Sequence, residues 1–260
     1  MATQSIKTPW LPFGTGEGAD LRLLCLPHSG AGASAYRAWG TGLPDWIGLA
    51  PVQPPGRETR RTETPLDEVG PLAAALAEDV AAAVDGPYAV FGHSTGAICA
   101  FELCRSLRRL GAPLPVHLFV AGRRAPQIEE RTTGLRDMNL DELAEVLRHH
   151  GGTPDWVLSS REMLAMIHPL LIADFAVSEE YRYTAEAPLD IPVTAFAATS
   201  DPRATVAQLA AWEAQSTREF TLHELAGDHF AVMECAPEVH ALIAKALDTG
   251  TGTRTNVMPT

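Results

Sequence analysis

YAVFGHSTGAICAFELCRSLRRL, residues 88–110, changes its hydrophobic period once. Tyr88 to Phe91 is an apolar run of strand length, whereas from Ala97 to Leu110 the apolar residues recur at helical spacing. Between the two lie Gly92, His93, Ser94, Thr95 and Gly96, a G-x-S-x-G turn. A strand that passes this abruptly into a helix brings backbone segments together, and a glycine on each side of Ser94 permits that approach. The turn would lift the Ser94 hydroxyl above the end of the strand. It would also set the hydroxyl beside a helix N-terminus, whose N–H groups and partial positive charge suit a developing oxyanion. A glycine-rich turn carrying an incidental serine is the competing reading, and the strand-to-helix context argues against it.

Outward from this turn, apolar runs of strand length alternate with helical patterns. Leu21 to Leu26, Ile47 to Val52, Val116 to Ala121, Val193 to Ala198 and Phe220 to Leu225 read as further strands. Pro71 to Val84, Val206 to Ala214 and Pro237 to Leu247 read as helices. The alternation predicts an α/β protein with a mostly parallel central sheet flanked by helices, and the serine turn makes it an α/β-hydrolase fold. One interval breaks the rhythm: between Ala121 and Val193 lie about seventy residues where a crossover needs far fewer. Helical patterns at Asp141 to His149 and Arg161 to Tyr181, separated by Gly151, Gly152, Thr153 and Pro154, predict an insertion over about 129–186. A lid over the site is expected, with ordinary sheet-packing helices as the alternative.

A serine hydroxyl becomes nucleophilic when a base takes its proton and a third group orients that base. In this fold the expected chain order is Ser, acid, His. Of nine histidines, His229 occupies a short loop between the last strand and the final helix, which makes it the candidate base. Asp201 follows VTAFAATS and precedes Pro202, the place for the acid, with Asp174, Asp190 and Asp228 as rivals. Two backbone N–H donors are needed for an oxyanion: Thr95 is the first candidate and Ser29, in the loop Pro27-His28-Ser29-Gly30-Ala31-Gly32, the second. The same loop also resembles a glycine-rich dinucleotide turn, although the next strand, ending in APVQ, carries no acidic residue for a ribose.

At 260 residues a single domain is expected, spanning 9–247, with flexible termini at 1–8 and 248–260. Twenty Lys and Arg against 32 Asp and Glu give a net charge of −12, which disfavours nucleic acid and anionic membrane surfaces as partners. No signal peptide or membrane span is visible, so the cytoplasm is the expected location. The four cysteines sit in apolar stretches without framework or metal spacing and read as reduced, buried thiols. The doublet His149-His150 lacks further ligands, and no metal or cofactor is expected.

From Trp10 to Leu247 the chain resembles the type II thioesterases that accompany polyketide synthases and non-ribosomal peptide synthetases. The resemblance rests on LPHSGAGASAYRAW, PVQPPGRETRR, FGHSTGA, IPVTAFAATSDP, GDHFAV and, within the insertion, GGTP followed by L-x-A-D-F and Y-x-Y. It implies hydrolysis of acyl or aminoacyl thioesters on the phosphopantetheine arm of an acyl or peptidyl carrier protein, without a dissociable cofactor. Release by transfer or cyclisation is the alternative outcome, and a non-catalytic carrier-binding protein a more distant one. Substrate contacts are expected from His28, His93, Ile172, Phe175 and Phe230. Three positions leave the family pattern: PHSGAG stands where PHAGG is common, Thr95 where Met is common, and Ile172 where Arg often precedes Ala-Asp-Phe. Carrier docking by an acidic protein calls for a local basic or apolar patch, for which Arg57, Arg60 and Arg61, or Arg123 and Arg124, are candidates.

Overall fold

Leu-Arg-Leu-Leu-Cys-Leu (β1, Leu21–Leu26) is buried at every position, as a strand covered on both faces must be. Its odd residues Leu21, Leu23 and Cys25 enter one core cluster and Leu24 and Leu26 the other, the period of two that a pleated strand imposes. A computed structural model describes residues 6–16, 18–129 and 134–248. Five more strands complete the sheet: β2 (Ile47–Pro51), β3 (Tyr88–His93), β4 (Leu118–Ala121), β5 (Val193–Ala198) and β6 (Phe220–Leu225). Their order is β2-β1-β3-β4-β5-β6, and every pairing is parallel. The chain steps outward from β1 to β2, then back across β1 to β3. The loops after β1 and β3 therefore flank the crevice where parallel α/β sheets hold ligands.

Eight α-helices accompany the strands in the described residues: α1 (Val69–Ala83), α2 (Thr95–Leu110), α3 (Leu140–His150), α4 (Asp155–Leu158), α5 (Arg161–Glu179), α6 (Val206–Ala210), α7 (Ala231–Glu234) and α8 (Ala236–Asp248). On one face Leu76 and Val80 of α1 and Ile98 and Leu103 of α2 cover Val90, Leu118 and Val120. On the other, Tyr36, Trp39 and Val239 and Ile243 of α8 cover Phe91, Phe119 and Phe196. Between β4 and β5, α3, α4 and α5 build a third, smaller cluster from Leu143, Leu147, Leu158, Leu164, Leu171 and Phe175. The insertion thus carries a core of its own.

Several boundaries differ from expectation. Helix α1 starts at Val69, with Pro71 inside its first turn, where a missing N–H costs no intrahelical bond. Val116 is 41% exposed and β4 begins only at Leu118. The helix expected over 206–214 is α6 followed by a 3-10 turn at Ala211–Gln215. Thr8, expected in a flexible terminus, donates its hydroxyl to Asp79 Oδ2 at 2.6 Å, and Asp248 is the last residue of α8. The rest of both expected termini, apart from 6–7, lies outside the described residues, as do 130–133 of the insertion.

Candidate active site

Ser94 stands at the junction of β3 and α2 with φ 56° and ψ −120°. Among described residues only Glu58 shares a positive φ without being glycine. Such a conformation costs on the order of 1–3 kcal/mol and persists only where the surroundings enforce it. The flanking glycines do so here: a Cβ on Gly92 would strike the Gly96 carbonyl oxygen, and one on Gly96 would strike that of Leu26. The Ser94 N–H is held by the Ala121 carbonyl at 2.8 Å, which locks the turn to β4. The hydroxyl is left at the head of α2 on the wall of a cavity of about 770 Å3.

The loops after β5 and β6 bring Asp201 and His229 together: His229 Nδ1 donates to Asp201 Oδ2 at 2.7 Å. The other Asp201 oxygen accepts the Arg203 N–H at 2.8 Å. Burial alone would push the Asp201 carboxyl up, but the His229 hydrogen bond and charge and the Arg203 N–H outweigh it and hold the carboxyl below its ordinary range. Burial lowers the His229 pKa, opposed by the Asp201 hydrogen bond and assisted by the charge of Arg203. His229 Nε2 is buried, makes no hydrogen bond to a described residue, and shares the cavity with Ser94. The rival acids are engaged elsewhere: Asp190 pairs with Arg218 and Thr217, Asp228 accepts the Phe230 N–H, and Asp174 pairs with Arg57.

His93, expected to touch substrate, is fully buried and lies behind the cavity wall. Its Nε2 sits 2.8 Å from the His229 carbonyl, so this nitrogen carries the proton and donates it. Burial drives the His93 pKa far down, leaving a neutral ring that braces the His229 loop. Ile172 also fails to reach the cavity. The lining positions of α5 include Ile167, Leu171, Phe175 and Ser178, one helical stripe, and Ile172 lies one residue, about 100°, away from it. His28, Phe175 and Phe230 line the cavity.

The loop after β1 binds inward. Gly30 N–H donates to Asp174 Oδ2 at 2.6 Å, Ala33 N–H to Gln53 Oε1 at 2.7 Å and Ser34 N–H to Glu58 Oε1 at 3.2 Å. Side chains of the protein therefore occupy donors that a dinucleotide pyrophosphate would need, which removes the alternative reading of this loop. Ser29 Oγ and Thr95 Oγ1 are 2.7 Å apart and hydrogen-bonded, with both residues on the cavity wall. Two of the departures from the family pattern thus meet as one hydroxyl pair.

Asp174 and Arg57 form a network that sequence reading missed. Arg57 Nη1 and Nη2 donate to the two Asp174 oxygens at 2.8 Å each, with both side chains nearly fully buried. The available signal was a lone acid among Leu171, Phe175 and Val177 on a buried helix face. Arg57 is therefore no docking residue. Arg123 is also buried, bonded to Ser178, while Arg60 pairs with Glu63 over the Trp10 ring. Burial pushes the Cys99 thiol up to about 12, and Cys25 and Cys104 are raised by the same cause. Among the described residues no cluster of three metal-binding side chains occurs and no helix is long and apolar enough to cross a membrane.

A thioesterase domain family model matches residues 21–247. The chain belongs to the thioesterase family. This thioesterase, a hydrolase acting on thioesters, is 38% identical over 229 residues to the gramicidin S biosynthesis protein GrsT of Aneurinibacillus migulanus, covering 88% of this chain and 90% of that one. Its fold matches RedJ, a thioesterase from the prodiginine pathway of Streptomyces coelicolor, with a TM-score of 0.80 and 38% identity over 90% of this chain and 86% of that one. The type II thioesterase BorB from the borrelidin biosynthetic cluster matches with a TM-score of 0.85 and 32% identity, covering 94% of this thioesterase and all of BorB.

Proposed function

We propose that this thioesterase removes acyl or aminoacyl groups from the phosphopantetheine arm of carrier proteins in polyketide or non-ribosomal peptide biosynthesis, with Ser94, His229 and Asp201 as its catalytic triad. The observation that carries the reading is the 2.7 Å His229–Asp201 bond beside a strained Ser94 on one cavity. Ser94 Oγ attacks the thioester carbonyl while His229 Nε2 takes its proton. Asp201 keeps the proton on Nδ1 and stabilises the imidazolium. The N–H groups of Ser29 and Thr95 receive the oxyanion, where loss of one donor costs ~10²–10³ in turnover. Collapse breaks the C–S bond, His229 protonates the departing thiolate, and water activated by the same ring frees the acid. Side chains and water suffice for these steps, so no dissociable cofactor is called for. The cytoplasm, where carrier proteins are loaded, is the matching location.

Intact-mass spectrometry of an acylated carrier protein tests this. The expected result is release of the free acid by the wild type and retention of the acyl group with Ser94→Ala. A carrier that stays loaded beside the folded wild type would overturn the reading, and a product lacking the mass of water would assign cyclisation instead.

A further inference from the structure

The cavity beside Ser94 contains a cation that the triad does not use. Arg203, two residues after Asp201, lines the cavity with its guanidinium over the Phe230 ring at 5.9 Å from the centroid. Its Nη2 is buried without an acceptor, and none of its guanidinium nitrogens hydrogen-bonds to a described residue. The two carboxylates that act on it are Asp201, whose oxygens already accept from His229 and the Arg203 N–H, and Asp228, which accepts from Phe230. Neither lies within ion-pair distance. Burial lowers its pKa to about 10, which leaves the group charged at neutral pH. Arg203 as a residue is half-buried, but a charged N–H shielded from water with no acceptor is costly unless something else supplies one.

Among the described residues Arg123 and Arg124 line the same cavity, but Arg123 is bonded to Ser178 and Arg124 donates to the Arg203 carbonyl, which leaves Arg203 as the one of the three whose guanidinium donates to no described residue. The nearby histidines add no charge, because burial lowers His28 to about 4 and also lowers His229. The unfilled charge of Arg203 therefore faces the cavity where the acyl group would lie.

We propose that Arg203 is a specificity residue that receives an anionic carboxylate on the acyl group, making half-thioesters of dicarboxylic acids a preferred substrate class. The fork of the guanidinium matches a carboxylate in two-point contact, which a hydrocarbon chain cannot offer. The reaction stays a hydrolysis: water supplies the oxygen, the C–S bond breaks, and the products are the free diacid and the carrier thiol. This inference rests on the proposed thioesterase reaction and adds the class of acyl group.

The test is a matched pair of substrates, a succinyl thioester and its monomethyl ester on the same carrier protein, assayed with the wild type, Arg203→Gln and Arg203→Lys. The wild type is expected to favour succinyl by about tenfold or more in kcat/KM, the scale of one buried charge-assisted contact. Arg203→Gln should lower that ratio by a similar factor, mainly through KM, and Arg203→Lys should restore part of it. A wild type that hydrolyses the methyl ester as well as or better than succinyl overturns the proposal while leaving the thioesterase reading intact. An equal fall for both substrates in Arg203→Gln overturns it too, since that is the mark of a structural role. A wild type inactive on both would instead strike at the proposed function itself.

Discussion

At the scale of single residues, the division of labour proposed for Asp201 and His229 gives a direct expectation. Asp201→Asn keeps the size of the side chain but lets the amide donate to Nδ1, placing the proton on the wrong nitrogen of His229. Turnover on an acylated carrier should fall by ~10⁴ with the fold retained, and comparable activity after this change would remove Asp201 from the role. The hydroxyl pair Ser29–Thr95 couples the two residues proposed as oxyanion donors. A double-mutant cycle with Ser29→Ala and Thr95→Val, read in kcat, should show a coupling of about 0.5–1.5 kcal/mol, and independent effects would make the bond incidental. The strained turn at Ser94 was legible in the sequence because its constraints are local: two glycines, a strand before and a helix after. His93 was misread for the opposite reason. Its partner is a carbonyl 136 residues later, and nothing in the neighbouring sequence records that contact.

Among elements, the strands at β1 and β5 were legible to the residue because the nearly unbroken apolar runs LRLLCL and VTAFAA end at Pro27 and Thr199, and β6, FTLHEL, because Phe220, Leu222 and Leu225 recur among polar residues before the turn at Gly227. The break after Ala210 was not, since the tightening to a 3-10 turn is decided by packing: Trp212 is fully buried and its Nε1 donates to the Arg123 carbonyl at 2.8 Å. The insertion was visible as excess length, whereas its attachment was hidden in a pair 117 residues apart. Asp174 of α5 holds both Arg57 and the Gly30 N–H, next to Ser29, so one carboxylate fastens the insertion to the loop after β1. Asp174→Ala leaves the Arg57 guanidinium buried without a counter-charge, held only by the Pro55 and Ala31 carbonyls, which costs about 3–5 kcal/mol. The urea midpoint should fall accordingly, and turnover should fall with it because the Ser29 loop loses its anchor. A change of a few tenths of a kcal/mol would show that the pair is solvated in solution.

For the whole molecule, the buried histidines make stability depend on pH in a definable direction. His28 and His117 are lowered to about 4, and His93 and His229 are also lowered, all first by burial. Above pH 6.5 both the folded and unfolded forms of these rings are neutral and the contribution is complete. Below that value the unfolded chain takes up protons that the folded chain refuses, so stability is lost as pH falls toward 4, where His28 and His117 finally titrate in place. Discharge of the net −12 over the same range eases self-repulsion and works the other way, so the total slope alone cannot assign the effect. His117 separates the two. It stacks on Phe119 at 4.2 Å between centroids, bonds Thr194 at 2.8 Å and lies outside the cavity, so replacing it does not disturb the proposed chemistry. A single ring lowered from 6.5 to about 4 is worth on the order of 3 kcal/mol by the lower limit, and about two-thirds of that at pH 5. His117→Gln keeps a donor toward Thr194 without titrating. Urea midpoints taken from pH 7 to 5 should therefore decline less steeply in this variant than in the wild type, and parallel declines would refute the assignment to buried histidine.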